Sequence, residues 1–408
     1  MQTPRLLWCH GLHRSPHPPS ILISQRRQPI PFLARLQPLS VHQPVPGTIR
    51  RQMDYASTKK ASVPHLVRTA AEPRQNRLYT VRVSHVDEVN PTVRLIQLTI
   101  PPHVQSLEGQ AERDDGESDQ PQPLTFLPGQ WLDVHIPGLA DAGGYSITST
   151  PADAQVLPSP RPPSESPMEE ETGLPPIDPR GRAPYVELAV QHAPSNPASA
   201  WLWRPKDEIL GKELSIRVGG SFVWPPSGIN LDEIKKVLFI AGGVGINPLI
   251  SMLSHLNNNH DETALHHQHP DIHFFYSTKI PRSAVPSLPE KSPAAYLDKI
   301  LFLSRLREIV RCQSESGRLR ISLRLFLTNL HDDFAPLLSE PQPDLAIYAR
   351  RQQPDDLAQA LKGPDGVIRP EEVVCYICAP PKMTDEVAST LRGLLGDGKE
   401  RVFFEKWW

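Results

Sequence analysis

The stretch "VLFIAGGVGINPLISML", Val237 to Leu253, limits what this chain can become more than any other. Val237, Leu238, Phe239, Ile240 and Ala241 form a short β-branched and aromatic run with no polar alternation. Such a run reads as a strand buried on both faces, hence a parallel strand between helices. Gly242, Gly243 and Gly245 follow. Then come Asn247, a good N-cap, and Pro248, which needs no donor in a first helical turn. Ile246, Leu249, Ile250, Leu253 and Leu256 recur at helical spacing. The predicted element is strand, glycine turn, helix. Free N–H groups and the positive end of the helix dipole point into such a turn, and glycine lets an anion approach the backbone. A pyrophosphate is the natural occupant; a βα turn using glycine only for tightness is the plainer alternative. Pro248 stands where the dinucleotide fingerprint G-x-G-x-x-G would place a third glycine.

The 408 residues suffice for two or three domains. A net charge of −2 argues against a general nucleic-acid binder. The charge is uneven: residues 1–52 hold seven arginines, no lysine and no acid. An Arg-rich, acid-free segment with Ser and Leu predicts a mitochondrial transit peptide over 1–58 and delivery to the matrix; a disordered basic tail is the alternative. No apolar run reaches the length of a membrane-spanning helix. Four cysteines, Cys9, Cys312, Cys375 and Cys378, form neither a disulfide framework nor a plant-type iron–sulfur spacing. No metal site is expected, since His260, His266, His267 and His269 sit in a polar segment that reads as a solvated loop.

From residue 75 to 228 the pattern is one of short strands with turn signals, such as "LYTVRVSHV", "TVRLIQLTI", "GQWLDVHIP", "YVELAVQHAP" and "ELSIRVGG". It predicts an antiparallel β-barrel carrying low-complexity inserts near 103–123 and 152–182. From 234 to 408 the apolar strands "KKVLFIAGG", "DIHFFYSTK", "RLRISLRLFLTN" and "VVCYICAPP" alternate with helical stretches, among them "AAYLDKILFLSRLREIVR". That predicts an α/β domain with a parallel sheet. "DDFAPLLSEPQPDLAIYARRQQPDDLAQALKGPDG" reads as a surface insertion.

A flavin-type barrel followed by an α/β domain opening on G-G-x-G-x-x-P resembles the ferredoxin–NADP reductase superfamily, and within it the mitochondrial oxidoreductase NAD-binding domain-containing proteins. The likeness spans roughly residues 77–408 without the inserts, on blocks in the family's order. "FLPGQWLDVHIPG" resembles the barrel strand introduced by Pro-Gly-Gln. Tyr145-Ser146 resembles the flavin-packing Arg-x-Tyr-Ser, with Gly143 at the arginine position, which weakens the phosphate anchor. Ser146, Thr148, Ser149 and Thr150 could offer hydroxyls there, and His192 a partial charge. Val190 and Gln191 stand where the family lines the isoalloxazine, and Ser199 matches a serine at a phosphate-facing helix start.

The resemblance implies that Gly242, Gly243, Val244, Gly245 and Pro248 hold the nicotinamide cofactor's pyrophosphate. Ser277, Thr278, Lys279 and Arg282 would meet the adenosine ribose. No acid stands there, so a 2′-phosphate is tolerated. "CYICAPPKM" resembles the family's Cys-Gly-Pro-Pro-Pro-Met, placing Cys378 beside the nicotinamide C4 with Ala379, Pro380 and Met383 around it. In "FFEKWW", Glu405 and Trp408 would approach the flavin, while terminal tryptophans packing on the domain seam are the alternative. The expectation is an NAD(P)H-dependent flavin oxidoreductase. Its cofactors are NAD(P)H and FAD or FMN, and its electron acceptor is unknown. Cys378, Ser146 and Glu405 lie nearest the chemistry. The rival expectation is a nucleotide-responsive binding or assembly factor without stable flavin.

Overall fold

The computed structural model describes residues 63–100, 123–155, 183–258, 270–281, 294–329, 338 and 342–406. The arginine-rich segment, most of both low-complexity inserts, His260 to His269, Arg282, Trp407 and Trp408 lie outside the described residues. Residues 60–408 form one contact unit.

Six strands build the first layer: β1 (Tyr79–Asn90), β2 (Val93–Thr99), β3 (Trp131–His135), β4 (Gly143–Ser146), β5 (Tyr185–Gln191) and β6 (Glu213–Gly219). They pair antiparallel in the order β4-β3-β6-β1-β2-β5. The two edges meet where Ile147 bridges Leu188 and the Thr148 N–H donates to the Glu187 carbonyl at 2.8 Å, so the sheet closes into a barrel. Val81, Ile96, Leu132, Ile147, Leu188, Val190 and Ile216 fill its interior. Two short helices, α2 (Pro197–Leu202) and α3 (Lys206–Ile209), cover one opening, with Ala198, Leu202 and Ile209 buried.

A strap precedes β1. Its one-turn helix α1 (His65–Arg68) lays His65 over β4, and Arg74 bridges Gly219. Asp133, fully buried in the barrel wall, receives His65 Nε2 at 3.1 Å, Arg74 Nε at 2.9 Å and Arg217 at 2.8 Å. Burial alone would raise the Asp133 pKa, but these three partners more than offset it and hold the carboxyl well below the usual range.

The second layer is a parallel sheet ordered β10-β9-β8-β7-β11-β12. Its strands are β7 (Lys236–Gly242), β8 (Asp271–Thr278), β9 (Arg320–Leu327), β10 (Ala346–Tyr348), β11 (Val373–Ala379) and β12 (Val402–Lys406). Helices α4 (Ile246–Asn258), α5 (Ala294–Leu297) and α6 (Leu303–Ser316) lie on one side; α7 (Pro354–Leu361) and α8 (Pro381–Leu395) lie on the other. The unalternating run in β7 feeds both: Val237 and Phe239 face α4 and α6, while Leu238 and Ile240 face α7 and α8.

Three sequence expectations change. Helix α4 begins at Ile246, so Asn247 is inside the helix rather than its cap; its Nδ2 instead donates to the barrel carbonyl of Ala189 at 3.0 Å. The stretch read as one helix from Ala294 breaks at Phe302, whose φ of 58° is left-handed. The segment read as a surface insertion supplies β10 and α7, and Leu357, Ala360 and Leu361 of α7 are buried under the sheet. A three-residue strand is too short to show a periodic pattern, so only its register with β9 reveals it.

The two layers are stitched together. Besides Asn247, Ser251 Oγ donates to the Ser149 carbonyl at 2.6 Å and Asn90 Nδ2 to the Lys299 carbonyl at 3.0 Å. Arg305 pairs with Glu187 at 3.0 Å, and the Tyr376 hydroxyl donates to the Val223 carbonyl at 2.9 Å. Among the described residues no helix is long and apolar enough to cross a membrane.

Candidate nucleotide-binding site

At the C-terminal edge of the parallel sheet lies a cleft of about 690 Å³. Its floor is the glycine bend. Gly243 has φ +55°, a left-handed conformation that glycine adopts without strain, and a Cβ placed there would meet nothing within 4 Å. The space above it is therefore open to a ligand. Gly245 is required for a different reason: a Cβ would fall 2.1 Å from the Cys378 carbonyl oxygen. Gly242 likewise abuts Ala379 and Pro380, so the β7 bend and the β11 turn lock together.

The cleft has the electrostatics of an anion site. Helix α4 starts at the bend, and the starts of α7 and α8 (Gln353, Pro354, Pro380, Lys382) also line it. Three positive dipole ends therefore converge. Lys279, Arg351 and Lys382 add charge; Glu386, the one lining acid among the described residues, pairs with Lys382 at 3.9 Å. Ser277, paired in register with Gly242, is 8% exposed, and its hydroxyl has no hydrogen-bond partner among the described residues.

Of the residues named from sequence, Gln191, Gly242, Gly243, Val244, Ser277, Thr278, Lys279, Pro380 and Met383 line this cleft together. Gly245, Pro248, Cys378 and Ala379 lie beneath its floor rather than in its lining. Cys378 is fully buried among the apolar residues facing α4, and Cys375 among those facing α8, so the two thiols occupy opposite faces of β11. Burial, with the Glu405 carboxylate next, pushes the Cys378 thiol well above its ordinary range and keeps it protonated. Glu405 is the register partner of Cys378 on β12.

The barrel residues are placed elsewhere. Val190 is fully buried in the barrel core, and Ser146 is buried on β4. Thr148 Oγ1 is engaged with Glu187, and Ser149 Oγ accepts from the Glu187 N–H. Both line a smaller cleft of about 310 Å³ on the far side of the seam. Ser199 Oγ donates to the Gln191 carbonyl at 2.8 Å and accepts from the Ala193 N–H at 3.0 Å. Sequence reasoning missed the β1–β2 turn (Asn90, Thr92, Val93), Ile300, Leu301, Thr328 and the segment Arg351 to Leu357. The only local signal was Pro354 followed by Asp355 and Asp356, a helix-start pattern.

The fit of a flavin divides in two. Gln191 lines the cleft, whereas Tyr145 packs against the barrel core, its buried hydroxyl without a partner among the described residues. At the phosphate end the residues named from sequence are already engaged. A Cβ on Gly143 would lie 2.6 Å from Tyr145 Cε2 and 2.7 Å from Ala198 Cβ, so the tyrosine ring fills the space beside it. Gly144 is covered by the His65 ring, the Ser199 hydroxyl is committed, and the His192 ring packs tilted against Trp203, with centroids 4.6 Å apart. The groups named from sequence for a flavin phosphate are thus engaged in contacts within the barrel.

No family model matches the chain. The chain is 28% identical over 352 residues to oxidoreductase NAD-binding domain-containing protein 1 of Danio rerio, covering 86% of this chain and 100% of the relative. It is 28% identical over 362 residues to the protein of the same name from Xenopus tropicalis, covering 88% and 87%. Among solved structures, the Amycolatopsis cytochrome P450 reductase GcoB aligns over 82% of this chain and 70% of its own, with TM-score 0.48 and 18% identity. The chain is thus similar over most of its length to the oxidoreductase NAD-binding domain-containing proteins, on a closed antiparallel sheet followed by a parallel sheet flanked by helices.

Proposed function

We propose that this protein is an NAD(P)H-dependent oxidoreductase whose dinucleotide occupies the 690 Å³ cleft. The observation that carries the reading is the open glycine bend at Gly243, set among three helix starts and beside the unpartnered Ser277 hydroxyl. The oxidoreductase names of the relatives support it.

The diphosphate rests over Gly243 and Val244, where backbone amides and helix dipoles favour negative charge. Ser277 and Thr278 take ribose hydroxyls, and Lys279 and Arg351 accept a 2′-phosphate, so NADPH as well as NADH is admitted. The reduced nicotinamide supplies a hydride from its ring. It is directed toward the barrel end of the cleft, where Thr92, Val93 and Gln191 meet Ile300 and Leu301. The apolar members exclude water from the transfer, and Gln191 orients the ring through its amide. Cys378 and Gly245 support this arrangement from below. The acceptor sits at the barrel end. FAD or FMN there would meet Gln191 at its ring, and the groups named from sequence for its phosphate are engaged, so no step here depends on a resident flavin. The mitochondrial address of the N-terminal segment, and matrix residence, complete the proposal.

Those engaged groups favour one second reading, a nucleotide-responsive binding or assembly factor. Oxidation of NADH and NADPH by the purified chain, followed at 340 nm with a dye acceptor, with and without added FAD, separates the two. Turnover supports the oxidoreductase; saturable binding with no turnover under either condition supports the factor.

A further inference from the structure

Helix α4 buries two polar side chains in its first two turns, Asn247 and Ser251, among Ile246, Leu249, Ile250 and Leu253. They stand four residues apart, one above the other on the same helix face. Each donates to a barrel carbonyl: Asn247 Nδ2 to Ala189 at 3.0 Å and Ser251 Oγ to Ser149 at 2.6 Å. These carbonyls flank the pair that closes the barrel, Ile147 and Leu188, for Ala189 follows Leu188 on β5 and Ser149 lies just past Ile147. The helix that starts at the glycine bend is therefore fastened across the barrel's closure. The two bonds serve different ends of the seam. Ser149 lines the smaller cleft, away from the nucleotide cleft. Ala189 precedes Gln191 by two residues on β5, hence shares its face, and Gln191 lines the nucleotide cleft.

Asn247 is not itself in the lining of the nucleotide cleft. What its bond fixes is the spacing between the glycine bend, where the diphosphate rests, and Gln191, where the barrel end of the cleft begins. Around that bond the barrel meets α4 by apolar contact, through Val93 and Ala189. Apolar attraction has no direction and tolerates a slide. A 3.0 Å N–H···O bond has a set length and angle. Asn247 Oδ1 is buried without a partner among the described residues, so the amide carries a penalty that an apolar side chain of similar volume would avoid. Stability therefore does not account for the amide, whereas a fixed register does.

We propose that Asn247 is a positioning residue for hydride transfer, holding the glycine bend to β5 so that the reduced ring stays in line with the acceptor at the barrel end; this rests on the oxidoreductase reading above. The transfer breaks one C4–H bond of NADH, leaves NAD⁺, and passes two electrons and a proton to a two-electron dye acceptor, which takes its second proton from water. The test compares the full chain with Asn247→Leu, Asn247→Ala and Ser251→Ala. Each is titrated with NADH and assayed at saturating NADH, unlabelled and dideuterated at C4. Both Asn247 variants are expected to bind NADH within about twofold of wild type, because the side chain does not line the cleft. Both should lose at least roughly tenfold in kcat, since an ångström of misplacement is worth up to about a hundredfold. The slowed turnover should carry a primary deuterium isotope effect no smaller than that of wild type. Asn247→Leu should melt like wild type, because it removes the unpaired Oδ1 along with the bond; Asn247→Ala serves if leucine is not accommodated. Ser251→Ala should melt lower, because it leaves the Ser149 carbonyl unpaired, yet keep kcat within about twofold. The proposal is overturned if the Asn247 variants keep kcat, if they weaken NADH in parallel with it, if the isotope effect disappears, or if Ser251→Ala loses kcat equally. Wild type that binds NADH without turnover defeats the oxidoreductase reading itself, a different outcome that takes the positioning role with it.

Discussion

Alanine at Gly243 and alanine at Gly245 should fail in opposite ways. At Gly243 the new methyl meets no atom within 4 Å, so the native chain feels only the left-handed φ of +55°. That conformation costs an L-residue about 1–2 kcal/mol. For a unit of this size the loss lowers the melting temperature by roughly 1–4 °C. The methyl nevertheless projects into the space assigned to the diphosphate, so affinity for NADH should fall at least about tenfold, or ~1.4 kcal/mol. At Gly245 the methyl would sit 2.1 Å from the carbonyl oxygen and 2.5 Å from the carbonyl carbon of Cys378, both backbone atoms of a fully buried strand. Nothing flexible can yield, and the cost lies at or beyond the upper end of the ~1–3 kcal/mol typical of overpacking. Scanning calorimetry of the apo proteins and titration of the folded ones with NADH, read by nicotinamide fluorescence, give both numbers. Gly243→Ala binding NADH within twofold of wild type would refute the placement of the diphosphate. Gly245→Ala melting like wild type would refute the interlock of the two turns.

Two further outcomes follow from buried titratable groups. Burial, with Lys236 and Arg324 nearby, lowers His273 from its ordinary 6.5 to about 4. Between those values the unfolded chain takes up a proton that the native one refuses, so stability falls as pH drops from 6.5 toward 4, by roughly 2–3 kcal/mol in all. Denaturant melts should lose this slope in His273→Gln; an unchanged slope would assign it elsewhere. Cys375 and Cys378 are fully buried and their thiols pushed upward, whereas Cys312 is exposed. Alkylation of the native protein should mark Cys312 and leave both β11 cysteines unmodified until unfolding, as read by peptide mass spectrometry; rapid labelling of Cys378 would contradict its place beneath the floor.

What could be read from sequence was whatever local pattern encodes. The β7 run has no polar alternation because both its faces are covered, and the glycines after it sit where the backbone bends and is approached closely. The alternating half-buried pattern of the barrel strands was legible for the same reason. Groups whose role is set across the fold were not legible. Asn247 looks like a cap but spends its amide on Ala189, fifty-eight residues away in the barrel. Thr148, Ser149 and Ser199 look like free hydroxyls until cross-strand partners are seen to occupy them. His65 and Arg74 converge on Asp133 from a strap with no periodic signature. Gln352 lies in a polar segment that reads as surface, and only the buried apolar face of α7 draws it to the cleft.

The most direct test of the central claim is titration of the purified chain with NADH and NADPH, without flavin or acceptor. Saturable binding at one site per chain, weakened by high salt and competed by ADP, is the predicted result. No saturable signal from either dinucleotide would contradict it.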